Sequence, residues 1–489
     1  MDAALHHRVR RHVHLNTESQ FLNVPFSGTR SGIFPLTWGQ RWIWSSVTSR
    51  APHYSDLGSS YILAVPDMCD MDGVSRSITA LLNRYEAFRS KFSISLDEKP
   101  YQLVLDEGYL RAEVRQVATA DARAVAETVE AEFNRTPFTL PELSLRATIV
   151  ASDATPSFVV LCAFHMAMDC HGMLPVLDDF RSFMSAHPAE VGGSVSDDMT
   201  HPVDRVRIEE EVDGARRSAR GIRFWEQELA KFPKNPLPTG RQPESPRYKA
   251  FALHSPAVQA AALGLAAELG VTTASVIHAM AAALVARRAE SQACGFVMAA
   301  SHRYDADAVS YAGTLVQGVP VAVDTADCTP HELIVRTHRA GILAALAGQC
   351  DPDNLSKALN NSYGPEETRA KLACVVNLSL PTSAEPTAPL VAETGLTRPQ
   401  AERLLPESRC EYVEGNPVEN ERFYLTSEGG PTDFFITLRA DTAALASQDI
   451  VNFLRDLERS IIDCLPEPVA HPSASGVGNL VSRDSVIVT

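Results

Sequence analysis

Residues 160–173 read VLCAFHMAMDCHGM. From Phe158 to Phe164 the chain is apolar without a break, and then His165, Asp169, Cys170, His171 and Gly172 crowd into eight positions. An apolar run of this length, rich in branched and aromatic side chains, reads as a strand buried on both faces. A strand that ends in histidine presents an imidazole at a sheet edge, at a domain interface or in a cleft. The stretch that follows, GMLPVLDDFRSFMSA (172–186), has helical apolar spacing at 173, 174, 177, 180 and 184. Pro175 fits a first helical turn, which predicts a helix starting close to Gly172.

Four chemistries suit this cluster. A neutral imidazole accepts a proton near pH 7, so His165 suits a general base, with Asp169 as its brace. The plain alternative is a core histidine bonded to backbone, since a His-x3-Asp pattern is short. His165, Asp169 and His171 are three ligands of the types that hold catalytic zinc, although no companion motif with metal spacing accompanies them. A Cys170–His171 nucleophilic pair is the weakest reading, because adjacent side chains point apart and no orienting Asn or Asp follows.

Composition narrows the class. With 489 residues the chain is long enough for about two to four domains. A net charge of −16 disfavours phosphate backbones, so nucleic acid is not an expected partner. The nine cysteines are scattered without a CxxC pair, a usage that suits reduced thiols in a cytoplasmic protein. No window of 18 uninterrupted apolar residues is present, and no membrane span is expected. The start, MDAALHHRVRRHVHLN, is basic but lacks the apolar core of a signal peptide; its four histidines raise metal binding as a minor alternative.

Working outward, LSLRATIVAS and PSFVVLCAF flank the polar turn DATP and predict an antiparallel hairpin. Thr37 is a candidate N-cap for a Trp-rich helix after IFPL. Helical patterns recur at 74–88, 121–135, 221–229, 257–268, 273–288 and 331–347, with a closing helix in ASQDIVNFLRDLERSIIDCL. Strands are expected at 101–105, 295–303, 318–323, 373–380 and in DFFITLRAD, and the polar, acidic stretch 187–218 reads as a connection between two halves. Residues 381–420 read as loop with a short helix near 397–405. The organisation is α/β, with strands and helices mixed in both halves: a lead-in at 1–32, a first lobe at 33–205, a second at 206–465 and a tail of flexible composition at 466–489.

These residues also resemble a known family. FHMAMDCHGMLPVLDDF is similar to the HHxxxDG motif and following helix of the condensation-domain superfamily. PLTWGQRWIW (35–44) resembles its opening PLSxxQxxLW, and RYEAFRSKF (84–92) its RHExLRTxF. FWEQEL, GVTTASVIHAMAAALVARR and YAGTLVQGVPVAVD (311–324) resemble later segments in family order. The matches run from about 33 to 463, and their order is more specific than any one of them.

The resemblance implies two chloramphenicol-acetyltransferase-like lobes, each a mixed sheet with helices, arranged as a V-shaped pseudo-dimer around a tunnel. It implies acyl transfer from a carrier-protein or acyl-CoA thioester to a small-molecule amine or hydroxyl, with His165 as base and no cofactor or metal. It implies that Asp169 is structural and pairs with Arg89. Phe164 stands at the motif's first histidine and Cys170 at its glycine, so no oxyanion role carries over to the Cys170 amide. Cys170, His171, Gly172, Gln317 and Gly318 become candidates for the tunnel wall. No adenylation-like or carrier-like stretch flanks the matched region, so a free-standing monomer is expected. The second function in view is a catalytically altered module that recruits carrier or tailoring partners. Retention of His165, Asp169 and Arg89 together favours catalysis.

Overall fold

The computed structural model describes residues 20–50, 57–140, 142–186, 199–378, 396–428 and 434–467. The histidine-rich start, most of the expected tail and all of 379–395 lie outside these.

The first half is built on the predicted hairpin. Strands β1 (Gln20–Ser27), β2 (Gly32–Pro35), β3 (Gly58–Ala64), β4 (Ser90–Ile94), β5 (Pro100–Val104), β6 (Glu107–Gln116), β7 (Leu145–Ser152) and β8 (Thr155–Phe164) form two sheets. The larger has the order β1-β6-β7-β8-β3, and the smaller is β2-β5-β4. β7 and β8 pair antiparallel from Leu145↔Ala163, and Asp153 and Ala154 take left-handed backbone in the tight turn between them. β8 is interior, and Val159 to Ala163 are completely buried. Helices α1 (Trp38–Arg50), α2 (Met71–Arg84), α3 (Ala122–Arg135) and α4 (Cys170–Ser185) complete this half. Thr37 caps α1 as expected: its hydroxyl accepts from the Gln40 N–H, and the Gln40 side chain returns the bond to the Thr37 N–H.

Two sequence expectations are corrected here. The lead-in is not separate, because β1 pairs with β6 and buries Val24 and Phe26 in the first core. Nor is 187–218 a simple connection. It contains α5 (Pro202–Glu210) and the start of α6 (Val212–Leu229), so the expected lobe boundary at 205/206 falls inside a helix. Pro202 takes the first helical position, and Val203 and Val206 are buried on one side. The charged residues between them conceal that short apolar stripe. Residues 187–198 lie outside the described part.

The second half is one seven-stranded sheet with helices. Its strands are β9 (Tyr248–His254), β10 (Ala293–Ala300), β11 (Gln317–Asp324), β12 (Cys374–Leu378), β13 (Arg409–Asn416), β14 (Phe423–Glu428) and β15 (Phe435–Asp441). The order is β11-β10-β12-β14-β15-β9-β13. α7 (Pro256–Leu269) and α8 (Thr273–Arg288) pack with helices Pro330–Ala347 and Ser447–Ile462 into its core. β13 lies where loop was expected, because this edge strand is exposed on both faces and shows no alternation. Helix Pro352–Lys371 carries no sequence expectation; Gly364 breaks its helical geometry. Among the described residues no single helix is long and apolar enough to cross a membrane.

The halves meet along α1 and the loop 311–316. Gly39 permits this approach, because a Cβ there would lie 2.2 Å from the Thr314 carbonyl oxygen. Gly39→Ala is expected to lower stability by about 1–3 kcal/mol in urea denaturation, the range for overpacking. An unchanged midpoint would mean that the loop is not seated on α1.

Candidate active site

β8 delivers His165 to this junction, and its backbone is held from both halves. The His165 N–H donates to the Leu57 carbonyl at 2.8 Å, and the Thr314 hydroxyl donates to the His165 carbonyl. The His165 residue is half-buried. Phe164, at the motif's first-histidine position, is a core residue: its ring stacks on Phe138 at 4.9 Å and meets Phe92 edge-on at 5.8 Å. The apolar run therefore ends where the core ends.

Asp169 is the N-cap of α4. Its Oδ1 accepts from the Gly172 N–H at 2.8 Å. Its Oδ2 accepts from the second half: Arg303 Nη1 at 2.8 Å, the Leu315 N–H at 2.8 Å and the Val316 N–H at 3.1 Å. Both members of the ion pair are largely buried, with side-chain exposures of 11% for Arg303 and 3% for Asp169. Arg303 also donates to the Gly313 carbonyl at 2.8 Å.

The expected Asp169–Arg89 pair is thus corrected. Arg89 lies in the short turn after α2 and donates to the carbonyls of Leu82 and Leu105, with its guanidinium packed on Gly28. It braces the strands of the first half. Arg303 was missed, although GFVMAASHR carries the same signal as the opening stretch: an apolar strand ending in His–Arg.

The tunnel candidates divide. Cys170 and His171 are exposed in the first turn of α4. The Cys170 residue is exposed, yet neighbouring protein desolvates its thiol. This desolvation, with the nearby Asp169 charge, raises its thiol pKa. Ser59 and Tyr61 of β3 are hydrogen-bonding neighbours of the thiol. A thiol held protonated is a poor nucleophile, which removes the Cys170–His171 reading.

Gly172 is buried: a Cβ there would meet Met168 Sδ at 2.5 Å and Arg303 Nη2 at 2.9 Å. Its lack of a side chain lets Arg303 reach Asp169. Gln317 is buried and exchanges hydrogen bonds with the Cys350 backbone, and Gly318 makes room for the Trp42 ring. Those two positions are closed by protein packing, which corrects their expected place on an open channel. The helix, expected to start close to Gly172, starts at Cys170, which puts Pro175 in the second turn rather than the first.

Asp169 spends both oxygens on protein donors, and among the described residues no group of three or more His, Cys, Asp or Glu is placed to hold a metal ion. Two surface cavities, of about 580 Å³ against β6 and β7 and about 520 Å³ between α1 and α5, do not include His165. Neither cavity therefore contains the cluster at the junction, where His165 and Asp169 stand.

The family model for the Condensation domain matches residues 30–362. The chain belongs to the condensation-domain family. Condensation domains are in general acyl-transferring enzymes that work on carrier-protein-bound or CoA thioesters. No curated protein matches this one in sequence. Among solved structures, the condensation domain of chain release from the enacyloxin polyketide synthase is similar with a TM-score of 0.68 and 15% identity, over 93% of this chain and 86% of that one. SgcC5 from Streptomyces globisporus is similar with a TM-score of 0.64 and 16% identity, over 89% and 100% of the two chains. The starter condensation domain of rhizomide synthetase gives 0.63 and 14%, over 90% and 97%. These likenesses establish the mixed α/β, two-lobed fold.

Asp169→Ala is expected to cost about 3–5 kcal/mol, because it leaves the Arg303 charge buried and unpaired. A double-mutant cycle in urea should couple Asp169 with Arg303 by more than about 1 kcal/mol, and Asp169 with Arg89 by less than about 0.5 kcal/mol. The reverse pattern would restore the Arg89 pairing.

Proposed function

We propose that this condensation-family protein transfers an acyl group from a carrier-protein or CoA thioester to an amine or hydroxyl acceptor in natural-product biosynthesis, with His165 as general base. The supporting observation is the clamp on His165. Its amide is bonded to Leu57 and its carbonyl to Thr314, so the backbone that carries the imidazole is held at the junction of the two halves. Such fixed geometry is what positions a base against an acceptor and a thioester.

The acceptor nitrogen or oxygen attacks the thioester carbonyl while a His165 ring nitrogen takes its proton. The tetrahedral intermediate collapses with cleavage of the C–S bond, and the departing thiolate takes the proton back. Atoms and charge balance without a cofactor, because the thioester supplies the driving force. Asp169 acts at one remove, fixing the α4 start and, through loop 311–316, the His165 backbone. Cys170 and His171 then face the substrate, and they are the side chains expected to make its preference differ from that of relatives with glycine in the motif.

His165→Ala is expected to fold normally and to lose at least about tenfold in acyl transfer, the low end for loss of a general base. The assay is mass spectrometry of amide and ester products, with thioester donors on carrier protein and on CoA. Undiminished product formation by the variant would remove His165 from the mechanism. Absence of product from the native chain with every donor would favour a module that recruits partners without acyl transfer.

A further inference from the structure

The larger sheet of the first half is forked. β6 and β7 pair in parallel only from Glu113↔Thr148 to Gln116↔Ala151. Toward their N-terminal ends each strand follows a different neighbour: β6 stays on β1 from Glu107 onward, and β7 stays on β8 from Leu145 onward. Residues 107–112 and 145–147 are therefore two prongs with no ladder between them, and the inner edge of each leaves backbone donors and acceptors without a strand partner. The cavity of about 580 Å³ occupies this fork. Gly108 to Arg111 of one prong and Leu145 to Ala147 of the other line it, together with Lys91 of β4 and Phe133 of α3. Its size falls in the usual range of small-ligand sites, about 300–1,000 Å³.

The charge around the fork does not cancel. Two carboxylates reach the cavity, and each is held by an arginine on two bonds. Arg115 donates to Glu113 at 3.0 and 3.1 Å, and Arg146 donates to Glu142 at 2.6 and 3.0 Å. Lys91 and Arg111 are left over: among the described residues neither forms an ion pair. Lys91 is half-buried, and the exposed Arg111 guanidinium lies over the Phe21 ring, 3.6 Å from its centre. A ring in that position orients the guanidinium while its in-plane N–H groups stay available to a carboxylate. On a chain of net charge −16, two uncompensated cations at one cavity are a local exception.

We propose that the fork binds a small peptide-like acid, an extended molecule carrying amides and carboxylate. Its carboxylates meet Lys91 and Arg111, its amides bond to the inner edge of a prong as a short added strand would, and an apolar side chain rests on Phe133 and Leu143. The site stands apart from the acyl-transfer reading, because the cavity does not include His165. It nevertheless adjoins the strand that carries that histidine. Ser144 stands between the lining residues Leu143 and Leu145; its carbonyl accepts from the Phe164 N–H at 2.9 Å, and its hydroxyl donates to the Ser90 carbonyl, next to Lys91, at 2.7 Å. An occupant thus braces the end of β8 without meeting the reacting atoms.

The test is calorimetric titration of the full chain with three probes: N-acetyl-leucyl-glutamate, its neutral counterpart N-acetyl-leucyl-glutamine amide, and hexanoate, a carboxylate without amides. At about 50 mM salt the peptide acid is expected to bind with a Kd of about 1 mM or tighter, and the other two at least about fivefold more weakly. Sodium chloride at about 500 mM should weaken the peptide acid several-fold, because its charged contacts are partly exposed. Lys91→Met and Arg111→Met remove side chains that hold no ion pair, so both variants are expected to fold. Each should weaken the peptide acid by about threefold or more, and the double variant should lose it. A crystal grown with the peptide acid should show it between β6 and β7. Absence of binding at about 5 mM, equal binding of the neutral compound or of hexanoate, or undiminished binding by the double variant would overturn the proposal.

Discussion

A single carboxylate ties the strand that carries the histidine to the other half of the molecule. One oxygen of Asp169 caps α4, and the other collects Arg303 and two amides of the opposite half. The local turn after β8 and the junction between the halves are thus not independent features. A shift of loop 311–316 would disturb the helix cap, and a frayed cap would release the loop. Because the pair is buried, the coupling is strong: charges this far from water tolerate little loss of geometry.

Close approach of backbone makes that pairing possible. Gly39 lets the loop lie on α1, and Gly172 admits Arg303 beside α4. Around them the contacts are specific rather than merely apolar. Trp42 fills the space over Gly318 and lies 6.3 Å from Trp225, whose ring nitrogen donates to the Gly348 carbonyl at 3.0 Å. His165 therefore sits at the end of an interior strand, held against the loop of the other half. A catalytic base gains from that arrangement because no reorganisation is needed when the acceptor arrives.

Much of the architecture was legible because its signals are local. The β7–β8 hairpin shows in its apolar runs and turn, and α8 in its apolar helical pattern at 273–288. What stayed hidden has a physical reason in each case. β1 was masked by polar neighbours and by having only one buried face. α5 was masked because its inward residues include Arg205 and Glu209, charged side chains that look exposed in any sequence pattern. β13 has no buried face to produce a period. The partner of Asp169 was beyond reach for another reason: the resemblance pointed to Arg89, and only the path of the chain brings the Arg303 guanidinium to the carboxylate instead.

The sequence by itself determined that an interior strand ends in His165, that a helix follows it close to Gly172, and that the chain resembles condensation domains. Those conclusions follow from apolar periodicity, capping chemistry and ordered motifs, all of which act over a few residues or survive as recognisable words. Only the tertiary structure decided that Arg303 rather than Arg89 holds Asp169, that Gln317 and Gly318 are closed by packing, and that Cys170 and His171 remain open. These depend on contacts between residues from about thirty to more than two hundred positions apart, where hydrogen-bond geometry and the space left by glycine select the partner.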